Sequence, residues 1–264
     1  MEGNMWTFAT LGLLLCWMMP VDCGSISSKV AKKENQLTMV DDSVDDMYFG
    51  CNDKMMTIVQ DRLLEDEKSV NNFEIYCESS AKEKFDLRED TALTIDHIWA
   101  ICVYTNNSVY REFNTAVRTE GRSYLSSFKY HSFHYLLTSA IQILNNNSSC
   151  NSTFRRINML FTGKVNEIIR FGSFASTSFR SNLKAFGTKT CFKIKTCLGA
   201  SLEEYSVYPT EEEVLIPPYE TFKITEINRK NTFPDLKDCE VVFVLESAGV
   251  MSSLNCNAVR NGLK

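Results

Sequence analysis

The chain has 264 residues, 44% of them hydrophobic, which is enough for one substantial core and short for two. A net charge of −5 supplies no basic field, and this sets nucleic acid aside as a partner. Ten cysteines with no CxxC pair, beside three histidines, argue against a zinc site or another metal and for disulfides in an oxidising compartment.

The elements follow in chain order. Trp6 to Pro20 is an apolar run of signal-peptide length, too short to span a bilayer, and residues 1–23 are expected to be a signal peptide. No Lys or Arg precedes it. Removing it leaves an even set of cysteines, from Cys51 to Cys256. Residues 24–46 carry Lys29, Lys32, Lys33 and then Asp41, Asp42, Asp45 and Asp46, and read as a flexible leader. A single domain of two lobes is expected over residues 47–256, with 257–264 as a short tail. Apolar spacing predicts helices over 96–104, 110–117 and 133–144. Sequons at Asn106, Asn146, Asn147 and Asn151 mark exposed polar loops as N-glycosylation sites. The second half changes period: 192–196 alternates, 214–216 stops at Pro217-Pro218, and 221–227 and 240–245 read as strands. Helices first and strands later give an α+β class. The last residues hold no hydrophobic tail of the kind a GPI anchor needs, so free secretion is expected.

Three polar segments stand out: Ser152-Thr-Phe-Arg155-Arg156, Arg170-Phe-Gly-Ser173-Phe-Ala-Ser176-Thr177-Ser178, and Glu211-Glu212-Glu213 running into Val214-Leu-Ile216. On a strand, Glu211 and Glu213 would share a face and Glu212 would point away. Two carboxylates on one face repel, which raises the proton affinity of at least one. A bound cation would relieve this: a metal, a guanidinium or a cationic transition state. The alternative is a solvated acidic run at a strand end.

Taken together, the segments resemble the arginine-specific ecto-ADP-ribosyltransferases, whose signature is an Arg, a Ser-X-Ser strand and a Glu-X-Glu, in that order. Here these are Arg155, Ser176-Thr177-Ser178 and Glu211-Glu212-Glu213. The flanks agree: Tyr110-Arg-Glu-Phe-Asn-Thr-Ala-Val117, Phe171-Gly-Ser-Phe174, Phe186-Gly187, Thr196-Cys-Leu-Gly-Ala200 and Val214-Leu-Ile-Pro-Pro218. One departure is Arg156, where many relatives have Gly.

The resemblance implies a helical N-terminal lobe packed on a β-sandwich-like NAD-binding core. It implies transfer of ADP-ribose from NAD to arginine-bearing protein acceptors outside the cell, with release of nicotinamide. Glu213 would stabilise the oxocarbenium-like sugar and hold the ribose. Glu211 would receive the acceptor guanidinium and take its proton. Arg155 would hold the diphosphate, and Ser176 with Ser178 would orient the ribose and Glu213. Ser173, Tyr104 and Ser206 are further NAD contacts, and Tyr205 or Tyr208 would meet the acceptor. The pairings implied are Cys150–Cys197 and Cys51–Cys256, with the other four cysteines unassigned. Two alternatives stand beside transfer: an NAD glycohydrolase with water as acceptor, and a non-catalytic secreted binding protein of the same fold.

Overall fold

The computed structural model describes residues 35–70, 75–87, 92–145, 149–202, 204–229 and 232–263. The expected signal peptide and the sequons at Asn146 and Asn147 lie outside the described residues.

The N-terminal half is helical. Helix α1 (Asn52–Ile58) passes through a π turn at Val59–Leu63 into α2 (Leu64–Val70), and α3 spans Ile75–Leu87. Next come α4 (Ile95–Thr105), α5 (Tyr110–Thr119) and α6 (His131–Asn145). A capping box starts α4: Thr94 Oγ1 accepts from His97 N at 3.4 Å, and His97 Nδ1 accepts from Thr94 N at 3.0 Å. The sequence gives α4 one apolar face, yet every residue from His97 to Thr105 is buried, because α3 and α6 both pack on it. A ring cluster of Trp99, Phe113, Phe133 and Phe174 fills this half of the core.

The strands are β1 (Asn35–Gln36), β2 (Asn151–Ile157), β3 (Phe161–Thr162), β4 (Ile168–Arg170), β5 (Ala175–Ser178), β6 (Thr190–Thr196), β7 (Ala200–Ser201), β8 (Glu213–Ile216), β9 (Glu220–Asn228) and β10 (Val241–Val250). Eight of them form one mixed sheet in the order β4-β9-β10-β6-β2-β5-β8-β7, with β10 and β6 parallel and its other neighbours antiparallel. In β6 the alternation holds: Phe192 and Ile194 are buried, while Lys193 and Lys195 are not. Phe192, Phe222 and Phe243 centre a second apolar cluster. The sandwich-like character lies in one seam. Strand β2 pairs with β6 along its whole length, from Asn151↔Thr196 to Ile157↔Thr190. With β5 it shares the single pair Phe154↔Ser178, so a five-strand block and a three-strand block part there.

The acidic leader needs correction where it is described. Asn35–Gln36 pairs in parallel with β3, and Leu37 is buried in the second cluster. Asp45 and Asp46 are fully buried. Asp45 pairs with the buried Arg170 at 2.7 Å and accepts from the backbone N–H groups of Ser253 and Leu254. Asp46 accepts from the N–H groups of Tyr48 and Cys256 and from the Tyr124 hydroxyl. Buried charges persist where they are paired and hydrogen-bonded, and these two clamp one end of the fold to the other. The expected tail begins with a short helix, α7 (Asn257–Asn261), whose Ala258 is buried.

Among the described residues four disulfides are formed. They are Cys51–Cys256, Cys77–Cys102, Cys150–Cys197 and Cys191–Cys239.

Candidate active site

The seam between β2 and β5 opens on a cavity of about 550 Å³, within the usual range for a small-ligand site. Arg155 and Phe154 reach it from β2, Ser176 and Ser178 from β5, and Glu213 from the first residue of β8. Tyr104 at the end of α4 and Tyr110 at the start of α5 close the opposite wall.

Glu211 and Glu213 both line the cavity, and Glu212 does not. The backbone achieves this differently from strand alternation. Glu211 ends a 3-10 turn (Pro209–Glu211), and Glu212 takes the left-handed conformation, φ 49° and ψ 51°, before β8 begins. That turn gives the two flanking acids the same direction. The bend is held from below: Ser178 Oγ donates to the Glu211 carbonyl at 2.5 Å, and Arg180 Nη1 to the Thr210 carbonyl at 2.6 Å.

Glu213 is 7% exposed. Burial pushes its carboxyl up to about 7; a hydrogen bond from Ser176 pulls the other way, Glu211 adds to the rise and Arg155 opposes it. Burial raises Glu211 as well. Arg155 donates to the Ser176 carbonyl across the seam and to Tyr110 Oη at 3.4 Å. Burial works against its charge, but the Tyr110 and Tyr104 phenols and Glu213 outweigh it and hold the guanidinium above its ordinary value. Among the described residues Arg155 Nε and Asn114 Oδ1 are buried with no hydrogen-bond partner. A buried polar atom left without a partner costs about 1–3 kcal/mol.

The other expected contacts divide. Tyr104 lies in the wall, its hydroxyl accepting from Asn114 Nδ2 at 3.2 Å and from Ser176 Oγ at 3.4 Å. Ser173 is buried outside the cavity lining and accepts from Arg118 Nη2 at 2.6 Å. Ser206 is also off the lining and accepts from Tyr208 N at 3.1 Å, shaping its own loop. Tyr205 is buried in the helical core, while Tyr208 is 44% exposed and lines the mouth. Sequence reasoning left out Tyr110, Asn114 and Arg118, which touch Arg155, Tyr104 and Ser173. Their spacing was the available signal, since i, i+4 and i+8 share one helix face.

Arg156 lies on the same strand but spends its guanidinium on protein. Its fork meets Asp238, and Nε donates to the Ser181 carbonyl at 2.6 Å. Both arginines line the cavity, but geometry tells them apart: Arg155 keeps a buried, unpartnered Nε, while every guanidinium nitrogen of Arg156 has a protein partner. Among the described residues no group of three His, Cys, Asp or Glu could hold a metal ion.

Comparison with known proteins agrees with this geometry. The chain is 33% identical to the erythroblast NAD(P)(+)--arginine ADP-ribosyltransferase of Gallus gallus, over 96% of this chain and 86% of that protein. It is also 33% identical to the GPI-linked NAD(P)(+)--arginine ADP-ribosyltransferase 1 of Mus musculus, over 88% and 75% respectively. Among solved structures, a mutant of the eukaryotic mono-ADP-ribosyltransferase ART2.2 in complex with NAD superposes with a TM-score of 0.68 at 29% identity, covering 84% of this chain and 98% of that one. The family model for NAD:arginine ADP-ribosyltransferases matches residues 37–237, and the chain belongs to that family.

Proposed function

We propose that this chain transfers ADP-ribose from NAD to arginine side chains of extracellular proteins, with Glu213 as the central catalytic residue. The observation that carries the reading is the placement of Glu213, buried at the seam between Arg155, Ser176 and Glu211. The bond broken joins the nicotinamide nitrogen to C1′ of its ribose, and nicotinamide leaves with the electron pair. Ionised Glu213 faces the positive charge that develops on the sugar, in a site where burial strengthens the attraction. Arg155 neutralises the diphosphate, and Ser176 and Ser178 orient the ribose. Glu211, nearer the mouth, holds the acceptor guanidinium and takes its proton as the new C1′–N bond forms. Tyr104 adds a ring wall to the NAD site, and Tyr208 meets the acceptor.

The disulfides and the "ecto" and "GPI-linked" names of relatives support an extracellular setting, reached through a signal peptide at residues 1–23. Of the described sequon residues, Asn106 and Asn151 are half-buried, and Asn151 Nδ2 donates to the Gly199 carbonyl at 3.4 Å.

The test is to incubate the purified protein with labelled NAD and a small guanidino acceptor beside Glu213→Gln. Wild type should label the acceptor and release nicotinamide, and the variant should lose about 10²–10³-fold in rate. No nicotinamide release from either protein would favour the binding-protein reading.

A further inference from the structure

Arg156 lines the same cavity but takes no part in the chemistry proposed above, and its guanidinium is held by protein on every nitrogen. The side chain is 2% exposed. Nη1 and Nη2 meet the two Asp238 oxygens at 3.0 and 3.1 Å, and Arg156 in turn holds the Asp238 carboxyl below the usual carboxylate range. Nε donates to the Ser181 carbonyl at 2.6 Å, and Nη1 reaches the Gly187 carbonyl at 3.5 Å. Every guanidinium nitrogen therefore has a protein partner, so Arg156 has no donor left for a phosphate.

Those two carbonyls are the feet of an arch. Ser181 is half-buried and Gly187 is buried, while residues 182 and 184–186 between them are exposed. The far foot lies directly on β2. Gly187 has φ 137°, and a Cβ there would come within 2.4 Å of the Asn158 nitrogen and the Ile157 carbonyl carbon. The arch and its approach supply Arg180, Leu183 and Phe186 to the cavity. Between its feet the arch is exposed and tied by Lys184, whose Nζ lies 3.9 Å from Asp238 Oδ2, so it loses register when the feet are released.

We propose that Arg156 is a positioning residue for the NAD site: one guanidinium pins both feet of the 181–187 arch to β2 and sets how tightly NAD is held. The inference rests on the reading of this cavity as the NAD site. It also gives the departure from the family pattern a purpose, since a glycine at this position could not tie the feet.

The experiment compares wild type with Arg156→Gly, Arg156→Lys and Asp238→Asn, reading NAD kinetics and amide hydrogen exchange of residues 180–187. In Arg156→Gly, KM for NAD should rise about tenfold with kcat within about twofold, and the arch amides should exchange faster until NAD is saturating. Arg156→Lys keeps the charge and loses the fork, so it should fall between the two. Asp238→Asn, at an exposed partner that also faces Lys184 of the arch, should raise KM about threefold and carries the test if Arg156→Gly does not fold. Unchanged KM and unchanged exchange in the folded variants would overturn the proposal. Exchange measured without NAD reads the pinning alone. Faster exchange beside a wild type that does not turn over NAD would keep the pinning and sink the functional reading instead.

Discussion

In the proposed reaction Glu213 has to be ionised to face a developing cation, yet burial holds its carboxyl near 7. The rate should therefore depend on pH in a definite direction. Below about 7 the free enzyme carries Glu213 protonated, so kcat/KM for NAD should fall about tenfold per pH unit on the acid side. Glu211 contributes to that elevation. Glu211→Gln should thus lose arginine transfer, keep NAD hydrolysis, and move the acid limb of hydrolysis to lower pH. Labelled-NAD assays across pH, with and without acceptor, measure all three; transfer equal to wild type would remove the acceptor role. At this scale much was legible. Arg155, the serines and the paired glutamates carry their own spacing and chemistry. The route to the shared direction of Glu211 and Glu213 was not, because a single left-handed residue, Glu212, replaces strand alternation and no local composition announces it.

Helices and strands were read largely where they occur, since α5, α6, β6, β8 and β9 each carry a clean period or a hard stop. The leader was misread for a physical reason. A run of aspartates is ordinarily solvated, and the partner that buries Asp45 is Arg170, on a strand 125 residues away. Arg170 also donates to the carbonyls of Met39, Val40 and Met251, so one side chain ties the first described segment to the last. Breaking such a pair from one side leaves a charge without compensation. Arg170→Met should cost about 3–5 kcal/mol of unfolding free energy in denaturant titrations, and adding Asp45→Asn should recover part of it. Additive losses in the double variant would deny the coupling.

For the molecule as a whole, the same carboxyl that the proposed reaction uses weakens the fold. In the unfolded chain Glu213 titrates near 4.5, and in the folded protein near 7. Between those values the folded state binds the extra proton, so stability falls as pH rises through the window and then levels. Glu213→Gln removes the loss, so the variant should be the more stable protein at pH 8 by roughly 1–3 kcal/mol and gain nothing below pH 4.5. Thermal melts should show this as about 2–4 °C per kcal/mol, and a lower Tm for the variant at pH 8 would contradict it. The parting of β2 and β5 after one rung also gives the sheet a third margin, inside the protein. An outer margin is a template for another chain, with every free N–H and C=O inviting aggregation. This one faces a chamber of about 550 Å³ and is already bridged by Arg155 reaching for the Ser176 carbonyl. Unpaired backbone that would be a hazard at the surface is turned inward here, onto a chamber walled by side chains.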